Sequence, residues 1–215
     1  MPNSPCSNPQ LKKNPPELSQ SQVVILGVDV ANARQMVETA KTYTDKIPWN
    51  DGTQAISNKY FGNSTQATQT LMRQNVNNVL SLLNGVNSVT STFYPAGSDL
   101  LGAPEKSGYF AYVDRFSDVP RIFLGAPFWQ EPATGADSQA GTIVHELSHM
   151  QAGASTVDYI YGKTGCEVLV YLSAHPLAML LTDWTVDPPP ADAPVNNADS
   201  FMYFVYYVAA QANRK

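Results

Sequence analysis

Charge, cysteine and histidine are all scarce in this chain. Asp, Glu, Lys and Arg make up 14% of its 215 residues, and the net charge is −5. Phosphate backbones are bound by clustered Lys and Arg, so a nucleic-acid partner is not expected. No apolar run approaches the ~20 residues of a helical membrane span, so no membrane insertion is expected either. The two cysteines, Cys6 and Cys166, allow one bridge at most, and sequence alone does not decide whether it forms. Cys166 sits among apolar residues with no His close by in sequence. It reads as a packed residue or half of a disulfide rather than as a nucleophile. The opening Met1-Pro2-Asn3-Ser4-Pro5 has no basic stretch leading into an apolar one, so no signal peptide is visible. Internal repeats are absent.

What is present suffices for one core, since 43% of the residues are hydrophobic. Residues 1–20, rich in Pro, Asn, Ser and Gln, read as a flexible arm, and 21–215 as a single domain. The 3.6-residue pattern predicts a helix from about Asp29 to Lys46, broken at Pro48-Trp49-Asn50-Asp51-Gly52. A second is predicted from about Ser64 to Leu83, burying Leu71, Val76, Val79 and Leu83 and closed by Asn84-Gly85. Short apolar runs at Ser88–Tyr94, Gly108–Val113 and Arg121–Leu124 predict strands, with Arg121–Gly125 as the sheet edge to which an extended peptide would add. Further helices are predicted over Thr142–Gln151, 163–181 and Asn197–Ala210. Tyr203, Phe204, Tyr206 and Tyr207 form an aromatic stripe expected to pack on the sheet.

Two of the three His fall in one five-residue window, His145-Glu146-Leu147-Ser148-His149. Positions four apart on a helix lie one above the other, so both imidazoles can face a single metal ion. This is the HExxH pattern, in which the intervening Glu serves as general base toward a metal-activated water. Catalytic zinc usually takes three protein ligands and leaves the fourth position open. The metzincin continuation is excluded, because Ala152 and Ser155 stand where it needs Gly and His. Asp158 and Glu167 remain as candidates for the third ligand. The third His, His175, precedes Pro176 near a helix end and reads as a solvated or capping residue.

The stretch Gly153-Ala154-Ser155-Thr156-Val157-Asp158-Tyr159-Ile160-Tyr161-Gly162 resembles the GTxDxxYG signature of the aspzincins, the deuterolysin and peptidyl-Lys metalloendopeptidase family. Phe128-Trp129, the run Thr134 to Thr142, Tyr109 to Val113 and Asn197 to Phe201 extend the resemblance over roughly residues 108–207. It implies a zincin-like α+β fold, mainly helical, with a small antiparallel or mixed sheet beside the HExxH helix. It also implies one Zn2+ on His145, His149 and Asp158, with Glu146 as general acid/base and Tyr161 hydrogen-bonding the tetrahedral intermediate. The expected reaction is endoproteolysis of protein or peptide substrates by a monomer. The family's lysine-directed members recognise lysine at P1′ through an Asp and a Glu three residues later. Asp199 keeps the first and is the expected substrate-binding residue, but Met202 replaces the second. The family is extracellular, so export by a removed leader or by another route is expected. A toxin, effector or binding module with non-catalytic zinc is the competing expectation. An intact Glu146 speaks against it, because a structural site has no use for that carboxylate.

Overall fold

The computed structural model describes residues 16–98, 108–175 and 190–214. The first helix, α1 (Gln20–Thr44), begins nine residues before the predicted start. Ser19 caps it, accepting from the Gln22 amide while the Gln22 side chain returns to the Ser19 N–H. This reciprocal box satisfies two otherwise orphaned donors. α2 (Asp51–Phe61) occupies a stretch expected to be a break. Asn50 is its N-cap, accepting from the Thr53 amide at 2.8 Å, and Gly62 ends it at φ 76°. The Asn-Asp-Gly signal therefore starts a helix here instead of a loop. α3 (Gln66–Asn84) matches expectation in extent, but Leu71 is 39% exposed and Met72 takes the inward position.

β1 (Phe93–Pro95), β2 (Ala111–Val113) and β3 (Ile122–Leu124) form a mixed sheet in the order β1-β3-β2. β1 runs parallel to β3 and β2 antiparallel to it. The predicted edge at Arg121–Gly125 is thus corrected. β3 is the central strand, buried at Ile122, Phe123 and Leu124, and β2 is the edge that meets the next helix. Continuous burial explains the unbroken apolar run of β3, which does not by itself tell edge from centre.

After a short 3-10 turn at Pro127–Gln130 comes α4 (Gln139–His149), capped by Ser138, whose hydroxyl accepts from the Gly141 amide at 3.1 Å. α5 (Lys163–Ala174) ends at His175, which serves as its C-cap and stacks on Tyr171; residues 176–181, predicted to continue it, lie outside the described residues. A single turn, α6 (Ala193–Asn196), precedes α7 (Ala198–Ala210).

α7 is the hub of the core, buried along most of its length and packed against α1, α2, α4 and α5. Its aromatic stripe meets α2 rather than the sheet. Tyr60 stacks on Tyr203 and Tyr207 at 5.7 and 5.8 Å, and Phe204 touches Trp49 and Phe61. Cys166 is a buried free thiol with the Asn197 amide 3.6 Å from its sulfur, while Cys6 lies outside the described residues.

Candidate metal centre

α4 lies between α7 and the edge strand β2, and it is buried at ten of its eleven positions, all but Thr142. Its four-residue spacing brings His145 Nε2 and His149 Nε2 to 3.1 Å. Beyond His149 the chain turns back on itself. Ala154 and Thr156 donate to Ser148 O at 3.1 and 3.0 Å, and Ser155 closes the turn with φ 54°. The turn is tight enough that a Cβ on Gly153 would stand 2.2 Å from Leu147 O, which is why glycine is needed there. Asn78 of α3 holds the same residue from outside, donating to Gly153 O at 2.9 Å.

The returning strand is stapled to the start of α7. Val157 N donates to Asn196 O and Ala198 N to Val157 O, at 2.8 and 3.0 Å. Asn197 Oδ1 accepts from the Tyr159 and Ile160 amides at 2.9 and 3.2 Å. Asp158 is thereby aimed at the two imidazoles: Oδ1 lies 3.2 Å from His145 Nε2 and Oδ2 3.3 Å from His149 Nε2. Tetrahedral zinc with bonds of about 2.0–2.1 Å keeps its ligand atoms about 3.3 Å apart. The 3.1 Å between the two Nε2 atoms fits that spacing, one Asp158 oxygen stands 3.2 Å from His145 and the other 3.3 Å from His149, and two neutral imidazoles with one carboxylate are a zinc donor set. His145, His149 and Asp158 could therefore hold one metal ion. Burial would raise the Asp158 pKa, but the two imidazoles facing its oxygens outweigh it and hold the carboxyl well below its usual range.

The far sides of both rings are fixed. His145 Nδ1 donates to Asp199 Oδ1 at 2.6 Å, and His149 Nδ1 to Thr156 O at 3.0 Å. A proton on each Nδ1 leaves the lone pair on Nε2, facing the centre. Asp199 is buried at 8% exposure, and its second oxygen accepts the Gly162 amide. The residue expected to meet substrate is thus engaged with the His145 imidazole and a loop amide, although it also borders the cleft. Thr156 and Asn197 carry positioning that sequence reasoning did not assign. Only the resemblance around Asn197-Ala198-Asp199 hinted at it.

Glu146 is buried beside the two His, and burial raises its pKa above the ordinary carboxylate value. Tyr161 is 62% exposed, with its ring stacked 6.2 Å from that of His145. Burial of its hydroxyl and the neighbouring Asp158 carboxylate, to which it hydrogen-bonds, push its pKa up. Glu167 is elsewhere, pairing with Lys59 at 3.1 Å on the outer side of α5, so the alternative third ligand is set aside. The cleft over the centre has a volume of about 840 Å3 and is bordered by Gly108–Val113, α4 and α7.

The pattern of the aspzincin family, described as lysine-specific metallo-endopeptidase, matches residues 49–175, more than half of the chain. The chain belongs to the aspzincins. A peptidyl-Lys metalloendopeptidase of Pleurotus ostreatus is 30% identical over 135 residues, covering 63% of this chain and 67% of that protein. An extracellular protease of Aeromonas hydrophila is 41% identical over 100 residues, which cover 46% of this aspzincin but only 23% of the relative. A zinc peptidase from Grifola frondosa superposes with a TM-score of 0.63 at 26% identity, over 88% of this chain and 96% of that one. The mainly helical α+β architecture with its small mixed sheet is therefore that of a zinc peptidase, and zinc is the family's metal.

Proposed function

We propose that this aspzincin hydrolyses peptide bonds as a zinc-dependent endopeptidase acting outside the cell as a monomer. The carrying observation is a three-ligand centre that opens onto a cleft with a buried carboxylate alongside. Zinc held by His145, His149 and Asp158 would supply Lewis acidity at the open vertex. Glu146, buried beside the two imidazoles, takes the proton from the attacking water and returns it to the leaving amine. Tyr161 is exposed at the cleft, and a turn of its hydroxyl away from Asp158 would bring it to the developing oxyanion. Asp199 holds His145 in the metal-binding tautomer. The outer edge of β2 offers backbone groups to an extended substrate. The names of the Aeromonas and Pleurotus relatives support extracellular action and a preference for lysine at P1′.

Glu146→Gln tests the reading. The variant should bind one zinc per chain yet lose about 10²–10⁴-fold in kcat on an unstructured protein. Retained turnover at full zinc occupancy would remove Glu146 from the chemistry. Absence of cleavage by the zinc-loaded wild type would favour a module with non-catalytic zinc.

A further inference from the structure

One end of the cleft collects anions with no Lys or Arg beside them among the described residues. Thr142 lies on α4 one turn before His145, and its hydroxyl donates to Glu131 Oε2 at 2.8 Å. Glu131, Asp137 and Met202 border this end of the cleft. Arg115 is the one Lys or Arg among the described cleft residues, and it is tied to His149 O at 3.2 Å, at the opposite end of α4. Thr142 and His149 are about 10 Å apart along the helix at 1.5 Å per residue. Arg115 is thus poorly placed to neutralise Glu131.

The two acids of α7 that the family resemblance offers for a lysine ammonium are not available here. Residue 202 is Met, and both oxygens of Asp199 are engaged, with His145 and with Gly162. The carboxylate of Asp137 takes the Tyr203 hydroxyl. Glu131 and Asp137 each have one oxygen engaged, but of the two only Glu131 is tied to the active helix itself. Thr142 occupies one of its oxygens, and among the described residues no donor reaches the other. We propose that Glu131, anchored to the active helix by Thr142, is the anion that selects a cationic side chain, lysine first, at the residue following the scissile bond. The proposal rests on the peptidase reading above.

Three features support the assignment. Thr142 fixes the carboxylate, so little side-chain freedom is lost when a cation arrives. Glu131 is half-buried, so a pair formed there is less screened than one on the open surface. Burial, with the nearby charges of Asp137 and Asp199, holds the Glu131 pKa up against the opposing Thr142 bond and the neighbouring His145. An arriving ammonium relieves that strain. The negative charge lost at position 202 is thereby restored from the loop in front of α4, on the same stretch of cleft wall.

The test compares peptides identical except for Lys, Arg or norleucine after the cleaved bond, using wild type and Glu131→Gln. Glutamine keeps the shape and an oxygen for Thr142 while removing the charge. The Lys-to-norleucine ratio of kcat/KM should fall by about tenfold or more in the variant, as expected for losing a charged hydrogen-bond partner. Calorimetric titration of the same peptides into Glu146→Gln, with and without Glu131→Gln, should show the same loss in relative affinity without depending on turnover. A ratio unchanged within about twofold in both assays overturns the proposal. So does a wild type that cleaves Lys and norleucine peptides equally, which leaves the peptidase reading standing. If wild type cleaves nothing, the peptidase reading fails and the binding arm alone decides the role of Glu131.

Discussion

At the scale of single residues, the proposed centre depends on groups outside its three candidate ligands. Asp199 is the clearest, because its contact with His145 Nδ1 supplies both a tautomer and extra basicity. Asp199→Asn keeps an oxygen acceptor but removes the charge, and should weaken zinc affinity by about 10–100-fold. Competition against a chelator of known affinity measures this, and an unchanged affinity would mean the contact is only packing. Far from the centre, Asp29 on α1 is fully buried, and among the described residues neither carboxylate oxygen has a hydrogen-bond partner. Burial raises its pKa from 3.8 to about 6. The folded chain therefore holds this proton more tightly than the unfolded one. Stability is highest below pH 3.8 as far as this group is concerned, and declines as pH rises through about 6. The cost at neutral pH is up to about 3 kcal/mol. Asp29→Asn should unfold at higher denaturant than wild type at pH 7, with the advantage shrinking toward pH 4.

At the scale of elements, the active helix was legible and its surroundings less so. His145, Glu146 and His149 announce α4 because metal geometry and helix geometry demand the same spacing, and Asp158 follows in a signature that belongs to its loop. Local patterns fail where a tertiary partner decides. Asn50-Asp51-Gly52 fits a turn as well as a helix start, and only packing of Tyr60 and Phe61 against α7 selects the helix. Asp199 read as a substrate acid because nothing in sequence reveals that His145, 54 positions earlier, lies against it. The loop after α4 makes its own prediction. Gly153→Ala sets a methyl against the Leu147 carbonyl at 2.2 Å, a backbone contact that cannot swing aside. The turn must open, at a cost of about 1–3 kcal/mol, and Asp158 must move with it. A lower melting temperature accompanied by weaker zinc binding is expected. A drop in stability with zinc affinity intact would show that the turn and the ligand are independent.

At the scale of the molecule, the three proposed ligands would cross-link two segments that both pack on α7. Two come from α4, which packs on α7 and β2, and the third from a strand hydrogen-bonded to the start of α7. Without an ion, the Asp158 carboxylate is held mainly by two imidazoles, and its side chain is 32% exposed. Zinc binds the folded arrangement and not the unfolded chain, so it should stabilise the fold by mass action. Free zinc at 1,000 times its Kd contributes about 4 kcal/mol. For a chain of this size, each kcal/mol moves the midpoint by about 2–4 °C, so removal of the metal should lower Tm by roughly 8–16 °C. Scanning calorimetry on Glu146→Gln, chosen so that self-digestion does not distort the trace, gives the shift directly. His145→Ala should lose most of the response to zinc, and Asp158→Ala should do the same if that carboxylate completes the centre. An Asp158→Ala protein whose Tm still climbs with zinc to the wild-type extent would remove residue 158 from the coordination sphere.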